Sequence, residues 1–366
     1  MEPAEPFNRP AQKRWRDYWA VTKPRVTLLA VFTAFIGMLL VDKSLPPWIV
    51  VVGGCIGIWL IAGASFAMNC LLEAAVDARM KRTNWRPSAQ GTLSTTQIVV
   101  FALILGALGS AVLIVTTNML TWALTLATFF GYAFIYTLYL KPNTPQNIVI
   151  GGAAGAMPPV LGWVAVANDV SAAPLLLFLI IFAWTPPHFW ALALYRQEDY
   201  EKSGLPMLPV THGRDFTLLH MLLYTFLLLA VSLLPFAIRM NGWLYGVAAL
   251  ALGGRFIQLV WQLKKNYTDQ KSRAVFRFSL TYLTVLFAAL LGVGVVPAGR
   301  LRKIRATDAA RHAWPRLHTA AHAALHIFVA GGVVAAVRYT HERLDLRRCC
   351  ARAWRALYST GVATEK

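Results

Sequence analysis

The chain has 366 residues, 57% of them hydrophobic and 14% charged, with a mean hydropathy of +0.52, values that a soluble domain with one core does not reach. Its 35 Lys+Arg against 16 Asp+Glu give a formal net charge of +19. The basic residues are scattered through short loops and one tail of an otherwise lipid-soluble chain, which argues against nucleic acid as a partner and for a polytopic protein of the lipid bilayer.

The leader, "MEPAEPFNRPAQKRWRDYWAVTKPR", is polar and basic with no cleavable apolar core, so residues 1–23 read as a cytoplasmic segment rather than a secretory signal. Lacking an Arg/Ser-rich transit pattern, it favours a bacterial inner membrane over a mitochondrion. A spanning helix needs about 20 mostly apolar residues, and the first two such stretches are 24–42, opened by Lys23, Pro24 and Arg25, and 48–72. The second runs into "NCLLEAAVDARMKRTNWRP", where Asn69, Glu73 and Asp77 are spaced i, i+4, i+8 and stand on one face of a continuous helix. Carboxylate and amide oxygens are hard ligands suited to Mg²⁺, which keeps several waters and is held by one or two carboxylates plus phosphate oxygens. A carboxylate deep in an apolar run is costly and by default points to function. The bland alternative is an interfacial Asp77 paired with Arg79, Lys81 or Arg82.

Further spans are expected at 97–116, 119–140 (followed by Lys141), 147–167 and 173–194. The last contains "WTPPHFWALAL", in which Pro186 and Pro187 kink the helix beside His188. That ring either faces a cavity, as a proton acceptor or a contact for a porphyrin carboxylate or iron, or bonds the carbonyls freed by the prolines. The aromatics Tyr132, Tyr136, Trp163, Phe189 and Trp190 read as packing, with a minority lining a tunnel whose π faces suit a cation. At 195–209, "YRQEDYEKSGLPMLP" offers Glu198 and Asp199 as a second set of oxygen ligands, Tyr195 one turn before Asp199, and Arg196 and Lys202 for phosphate oxygens. Alone it is an ordinary charged loop. Spans at 216–238, 242–263 and 276–297 complete a count of nine.

Residues 298–366 break the pattern with 13 of the 35 Lys+Arg and five of the eight His. A stretch at 321–337 is a weak candidate for a tenth span, and a basic amphipathic or disordered tail is the preferred reading. The cysteines Cys55, Cys70, Cys349 and Cys350 suit neither a disulfide framework nor a zinc site.

Loop charge assigns the sides: the N-terminus, 77–92, Lys141, 195–215 and 264–277 are basic, and the alternating loops are nearly uncharged. Both acidic clusters, together with Lys23, Arg25, Arg82, Arg86 and Lys141, therefore fall on the cytoplasmic side. Two carboxylate groups beside cations above a lipid-facing cavity describe a site for a diphosphate with a long apolar tail.

The patterns N-x-x-x-E-x-x-x-D-x-x-M-x-R-T-x-x-R-P (Asn69 to Pro87) and Y-R-x-E-D-Y-x-x-x-G-x-P-M-L-P-V (Tyr195 to Val210) resemble the two signature regions of the protoheme IX farnesyltransferase family, a branch of the UbiA-type membrane prenyltransferases. "TKPRVTLLAVFTAFIG", "TPQNIVIGGAAGAMPPVLGW" and "FRFSLTYLTVLFAALL" agree, so the resemblance covers roughly 20–292. It implies an all-α bundle of nine transmembrane helices over 24–297 with a central cavity open to lipid. It also implies transfer of farnesyl from farnesyl diphosphate to a vinyl group of haem b, with water supplying a hydroxyl, and haem A synthase or cytochrome oxidase assembly factors as candidate partners. By that pattern Asn69, Glu73, Asp77, Glu198 and Asp199 hold Mg²⁺ and diphosphate, and Arg25, Arg82, Arg86, Lys141 and Lys202 contact the diphosphate or close loops over it. Two departures stand out: Ala75 replaces an Asp common in relatives, and the tail beyond Gly292 is unlike the family. The competing readings are a UbiA-type enzyme with an aromatic acid or chlorin acceptor, and a haem or lipid carrier.

Overall fold

In the computed structural model, which describes residues 11–42 and 45–292, every regular element is a helix. The tail at 298–366, the stretch at 321–337, the boundary drawn at 297, and Cys349 and Cys350 lie outside the described residues.

Helices α1 (Ala11–Val21) and α2 (Pro24–Leu39) meet at a 51° bend. Proline crowds the residue before it out of the right-handed helical region; Lys23 accordingly takes φ 50 and ψ 58, and Pro24 opens α2 where no N–H is needed. With 16 residues, α2 rises about 24 Å, less than the apolar core of about 30 Å. The expected span at 24–42 is thus the longer arm of a broken one. Eight helices among the described residues are long and apolar enough to cross a membrane, nine if the bent pair counts as one.

Helix α3 (Trp48–Leu72) ends at Glu73, whose φ −97 and ψ 3 separate it from the short α4 (Ala74–Asp77). Asn69, Glu73 and Asp77 therefore do not ride one uninterrupted helix, although Asp77 N–H still donates to the Glu73 carbonyl at 2.8 Å. A Ser94–Gln97 capping box starts α5 (Thr95–Thr116). Asn118 caps α6 (Met119–Phe130) and donates to the carbonyls of Val164 and Ala165.

Helix α6 passes into a π-helical stretch, Gly131–Leu140, and then α7 (Lys141–Asn143). The next span is α8 (Asn147–Ala156) and α9 (Pro158–Ala167), divided at Met157 where Pro158 and Pro159 remove N–H donors. Helix α10 (Ala172–Tyr195) runs through Pro186 and Pro187 unbroken, and α11 (Gln197–Ser203) and α12 (Leu208–Thr211) carry the chain into α13 (Gly213–Ala237). Helices α14 (Trp243–Lys265) and α15 (Asp269–Gly292) follow. The last begins seven residues before the expected 276, because its polar first turns still bury Ser272 and Val275.

Lipid gives apolar helices no solvent-driven reason to associate, so close packing and buried hydrogen bonds hold the bundle. Helix α10 packs on α8, α13 and α15. The α13, α14 and α15 helices share a satisfied polar chain: Tyr245 donates to the Ser232 carbonyl, and the Ser232 and Tyr282 hydroxyls bond at 2.7 Å. Where α2 crosses α9, a Cβ on Gly162 would enter the backbone carbonyl of Ala34, and one on Gly37 would meet that of Pro159. Backbone cannot step aside as a side chain can. Gly162→Val is expected to cost at least about 1–3 kcal/mol, read as a lower melting temperature of the protein in detergent, while Gly155→Val, whose Cβ meets nothing within 4 Å, changes little.

Candidate active site

Three helix ends and one connection deliver charge to the same end of the bundle. Lys23 stands at the α1–α2 bend, Asn69 and Glu73 end α3, Asp77 and Arg86 flank the turns after it, and Lys141 closes the π-helical span. Asn69, Glu73 and Asp77 are all buried. Buried carboxylates in a membrane helix need partners, and each has one from elsewhere in the chain. Lys141 Nζ donates to Glu73 Oε1 at 2.6 Å, and Arg86 donates to Asp77 Oδ2 at 2.6 Å while lying 3.9 Å from Glu73 Oε2. Asn69 is the joint: its Oδ1 accepts from Lys23 Nζ, and its Nδ2 lies 2.9 Å from both Glu73 Oε1 and Thr137 Oγ1.

Thr137 donates to the Tyr132 carbonyl five residues back. That reach matches the wide turn of a π-helix, a form frequent at functional sites. Phe66 meets Tyr132 edge to face with centroids 5.3 Å apart, Tyr132 stacks on Tyr136 at 5.4 Å, and Lys23 Nζ lies 5.2 Å from the Phe66 centroid.

Burial opposes the charge on Glu73, but Lys141, Lys23 and the hydrogen bonds from Lys141 and Asn69 hold its carboxyl below the usual range. Burial works against the Arg86 charge, and Asp77, Cys70 and Glu73 together outweigh it, so its pKa is raised.

The second cluster joins the first through Tyr200 on α11. Its buried ring packs with Met80, Ile148, Leu205 and Met207, and its hydroxyl lies near enough to Arg82, Lys141 and Glu73 to feel their charges. Asp199 is buried next to it, with Arg196 3.8 Å from Oδ2. Among the described residues, Asp199 Oδ2, the Nε atoms of Arg82 and Arg196, and the Tyr200 hydroxyl are buried without a hydrogen bond. Such atoms in a native fold call for an explanation, an ion or ligand among them.

Glu198, Lys202 and Arg25 are exposed and do not join the buried network. Tyr195 and His188 face α15. The guanidinium of Arg273 lies 5.2 Å and that of Arg196 5.7 Å from the Tyr195 ring, and His188 bonds Ser279 instead of the carbonyls beside Pro186 and Pro187. No three His, Cys, Asp or Glu among the described residues stand ready to enclose a metal. Sequence reasoning misses Thr137 and the linking role of Tyr200: a threonine in an aromatic run carries no spacing signal, and the tyrosine, though a fixed letter of the second pattern, carries no ligand chemistry of its own. Two apolar grooves, lined by Tyr18, Thr96 and Phe101 and by Val31, Cys55 and Trp59, lie away from all of these charges.

Residues 30–289 match the sequence pattern of the UbiA prenyltransferase family. A protein of Cupriavidus taiwanensis named protoheme IX farnesyltransferase is 60% identical over 276 residues, 75% of this chain and 90% of the relative. One of the same name from Polynucleobacter asymbioticus is 60% identical over 278 residues, 76% of this chain and 94% of its own. Among solved structures, a digeranylgeranylglyceryl phosphate synthase aligns with a TM-score of 0.64 at 17% identity, covering 76% of this chain and 98% of that one. A UbiA homologue from Archaeoglobus fulgidus bound to GPP and Mg²⁺ aligns with a TM-score of 0.54 at 15% identity, over 76% and 100%. These two likenesses establish the fold.

Removing one member of a buried ion pair strands the other. Lys141→Met is expected to cost about 3–5 kcal/mol, and adding Glu73→Gln to recover part of it, measured by thermal unfolding in detergent. The pH sign follows from the lowered Glu73 carboxyl: its contribution is present above the unfolded-state pKa and is lost as pH falls through the lower folded-state value. Lys141→Met moves that loss to higher pH.

Proposed function

The chain belongs to the UbiA prenyltransferase family, and we propose that it transfers the farnesyl group of farnesyl diphosphate to a vinyl carbon of haem b, giving haem O and diphosphate. The observation that carries this reading is the meeting, at one end of the bundle, of two carboxylate-bearing segments more than a hundred residues apart, ringed by cations. Loop charge supports a cytoplasmic position for that end, in a bacterial inner membrane on this reading.

In the reaction the C1–O bond of farnesyl diphosphate breaks and its electron pair leaves with the diphosphate. The vinyl π pair forms the new C–C bond to C1. Water captures the cation left beside the macrocycle and loses a proton to become the hydroxyl. Lys141, Arg86, Lys23 and Arg82 stabilise the charge that develops on the leaving group, prepositioned in a site with little water. The unfilled Nε of Arg82 and of Arg196 suits phosphate oxygens.

The donor set fits Mg²⁺ on the same ground. Asp199 Oδ2 has no hydrogen bond, and Asp77 Oδ1 and Glu73 Oε2 lie outside the short pairs. The Asp77 and Glu73 oxygens on one segment and Asp199 Oδ2 on the other would each hold metal together with diphosphate oxygens, and the metal would supply Lewis-acid neutralisation of the diphosphate. Asn69, its oxygen taken by Lys23, orients Glu73 instead of ligating. The faces of Phe66, Tyr132 and Tyr136 flank the isoprenoid path and favour an allylic cation.

Incubation of purified protein with farnesyl diphosphate, Mg²⁺ and either haem b or 4-hydroxybenzoate is expected to give a product of haem O mass from haem b alone. Asp77→Ala and Asp199→Ala each lower that rate by about 10²–10³, Asp199→Ala with the melting temperature retained and Asp77→Ala with it lowered because Arg86 is stranded, and chelation of Mg²⁺ stops the reaction. Wild-type turnover in both variants would remove the assignment.

A further inference from the structure

His188 lies outside the charged network, and its surroundings specify one nitrogen. Its ring is held between two others: Trp184 at 4.2 Å and 16° from parallel, and Phe276 of α15 at 4.6 Å and 24°. Nδ1 is 2.6 Å from Ser279 Oγ. The serine hydroxyl has a single proton, and it donates to the Phe276 carbonyl at 2.7 Å. Ser279 Oγ can then only accept from the ring, so Nδ1 carries the hydrogen and Nε2 carries the lone pair. Nε2 takes no hydrogen bond from a described residue, is not among the sealed polar atoms, and belongs to a ring only half-buried.

The strand of contacts behind the ring is rigid. Trp184 Nε1 donates to the Ser279 carbonyl at 2.8 Å, and Ser272 Oγ donates to the Ala191 carbonyl at 2.8 Å. The α10–α15 seam is thereby pinned above and below His188. A neutral imidazole whose far N–H is fixed by a partner, so that tautomer and ring plane are both set, is the arrangement in which histidine binds metals. A purely packed histidine needs no such orientation of its second nitrogen. His188 also stands seven residues, about two turns, before Tyr195 at the end of α10, deeper in the bundle than the diphosphate end.

We propose that His188 Nε2 is an axial ligand to the iron of the acceptor, a planar iron macrocycle, and that this coordination fixes where the macrocycle stands relative to the farnesyl carbon. The proposal rests on the reading of haem b as acceptor. His188 is a binding residue here; it takes no part in breaking the C–O bond, and the coordination step adds one Fe–N bond with no electron or proton transferred.

The test uses the full chain in detergent with haem b as one probe and iron-free protoporphyrin IX as the other, without farnesyl diphosphate. His188→Phe keeps a ring between Trp184 and Phe276 and removes both nitrogens. The wild-type is expected to bind haem b with an optical and electron-paramagnetic signature of nitrogen ligation. His188→Phe loses that signature and weakens haem b binding at least about tenfold, while affinity for the iron-free macrocycle is unchanged. Ser279→Ala keeps the signature but weakens binding by about tenfold, and added imidazole restores the signature to His188→Gly. An unchanged haem spectrum in His188→Phe, or equal losses with both macrocycles, overturns the iron contact and leaves farnesyl transfer to haem intact. An unchanged spectrum with a lower turnover, once farnesyl diphosphate is added in a separate assay, would assign His188 to proton transfer and overturn it equally. A wild-type protein that neither binds haem b nor converts it would overturn both.

Discussion

A carboxylate taken out of water at a membrane interface must be met by a cation, and the Glu73–Lys141 contact is where this chain does so. Glu73 ends α3, Lys141 ends a span that begins at Met119, and no local turn brings them together. The desolvation of two ions repays itself only with good geometry and filled hydrogen bonds. Asn69 and Arg86 supply them: one amide holds Glu73 toward Lys23 and Thr137, and one guanidinium spans Asp77 and approaches Glu73. The end of the bundle is tied by charge as well as by the buried cluster around Tyr200. The same groups can exchange partners: carboxylate oxygens for a metal, cations for phosphate, with the net charge of the region kept near balance.

Backbone irregularity gathers at this end for a related reason. The left-handed turn at Lys23, the break at Glu73 and the π-helix over Gly131–Leu140 each loosen a helix that would otherwise run straight past the site. Backbone that departs from the α-helix at membrane depth is tolerated where it is buried in protein or lines a cavity. Each departure here aims a polar side chain of the network: Lys23 toward Asn69, Asp77 toward Arg86, Thr137 toward Asn69. The straight α5 carries packing.

Apolar length and loop charge made the spans legible from sequence, and the starts of α3, α6, α8 and α14 agree with expectation to within a residue. The first span was the exception, since a hydropathy window cannot see that the dihedral at Lys23 folds α1 against α2. The carboxylates of the first motif were legible because their burial is costly; their partners were not, since basic residues crowd every loop on that side and only coordinates choose Arg86 over Arg79, Lys81 or Arg82 for Asp77. The split between Glu198 and Asp199 was also invisible: adjacent acids on a short helix point about 100° apart, and which one faces inward depends on how Tyr200 packs against Met80 and Ile148. His188 was legible as a histidine beside a Pro-Pro pair, but its true partner, Ser279, lies 91 residues on.

The two acidic segments are therefore unequal. The first arrives with its carboxylates already neutralised at 2.6 Å by cations from other helices, whereas the second presents a buried oxygen on Asp199 with only a guanidinium at 3.8 Å nearby. A buried charge left so loosely compensated raises the energy of the unliganded state. The first segment can hold its shape without a ligand, because its ion pairs stabilise the folded bundle directly. The second gains the most from an incoming ion, and because α11 is a short helix set between Arg196 and Gly204, the part of the site that gains most is also the part least constrained by a long membrane-spanning helix.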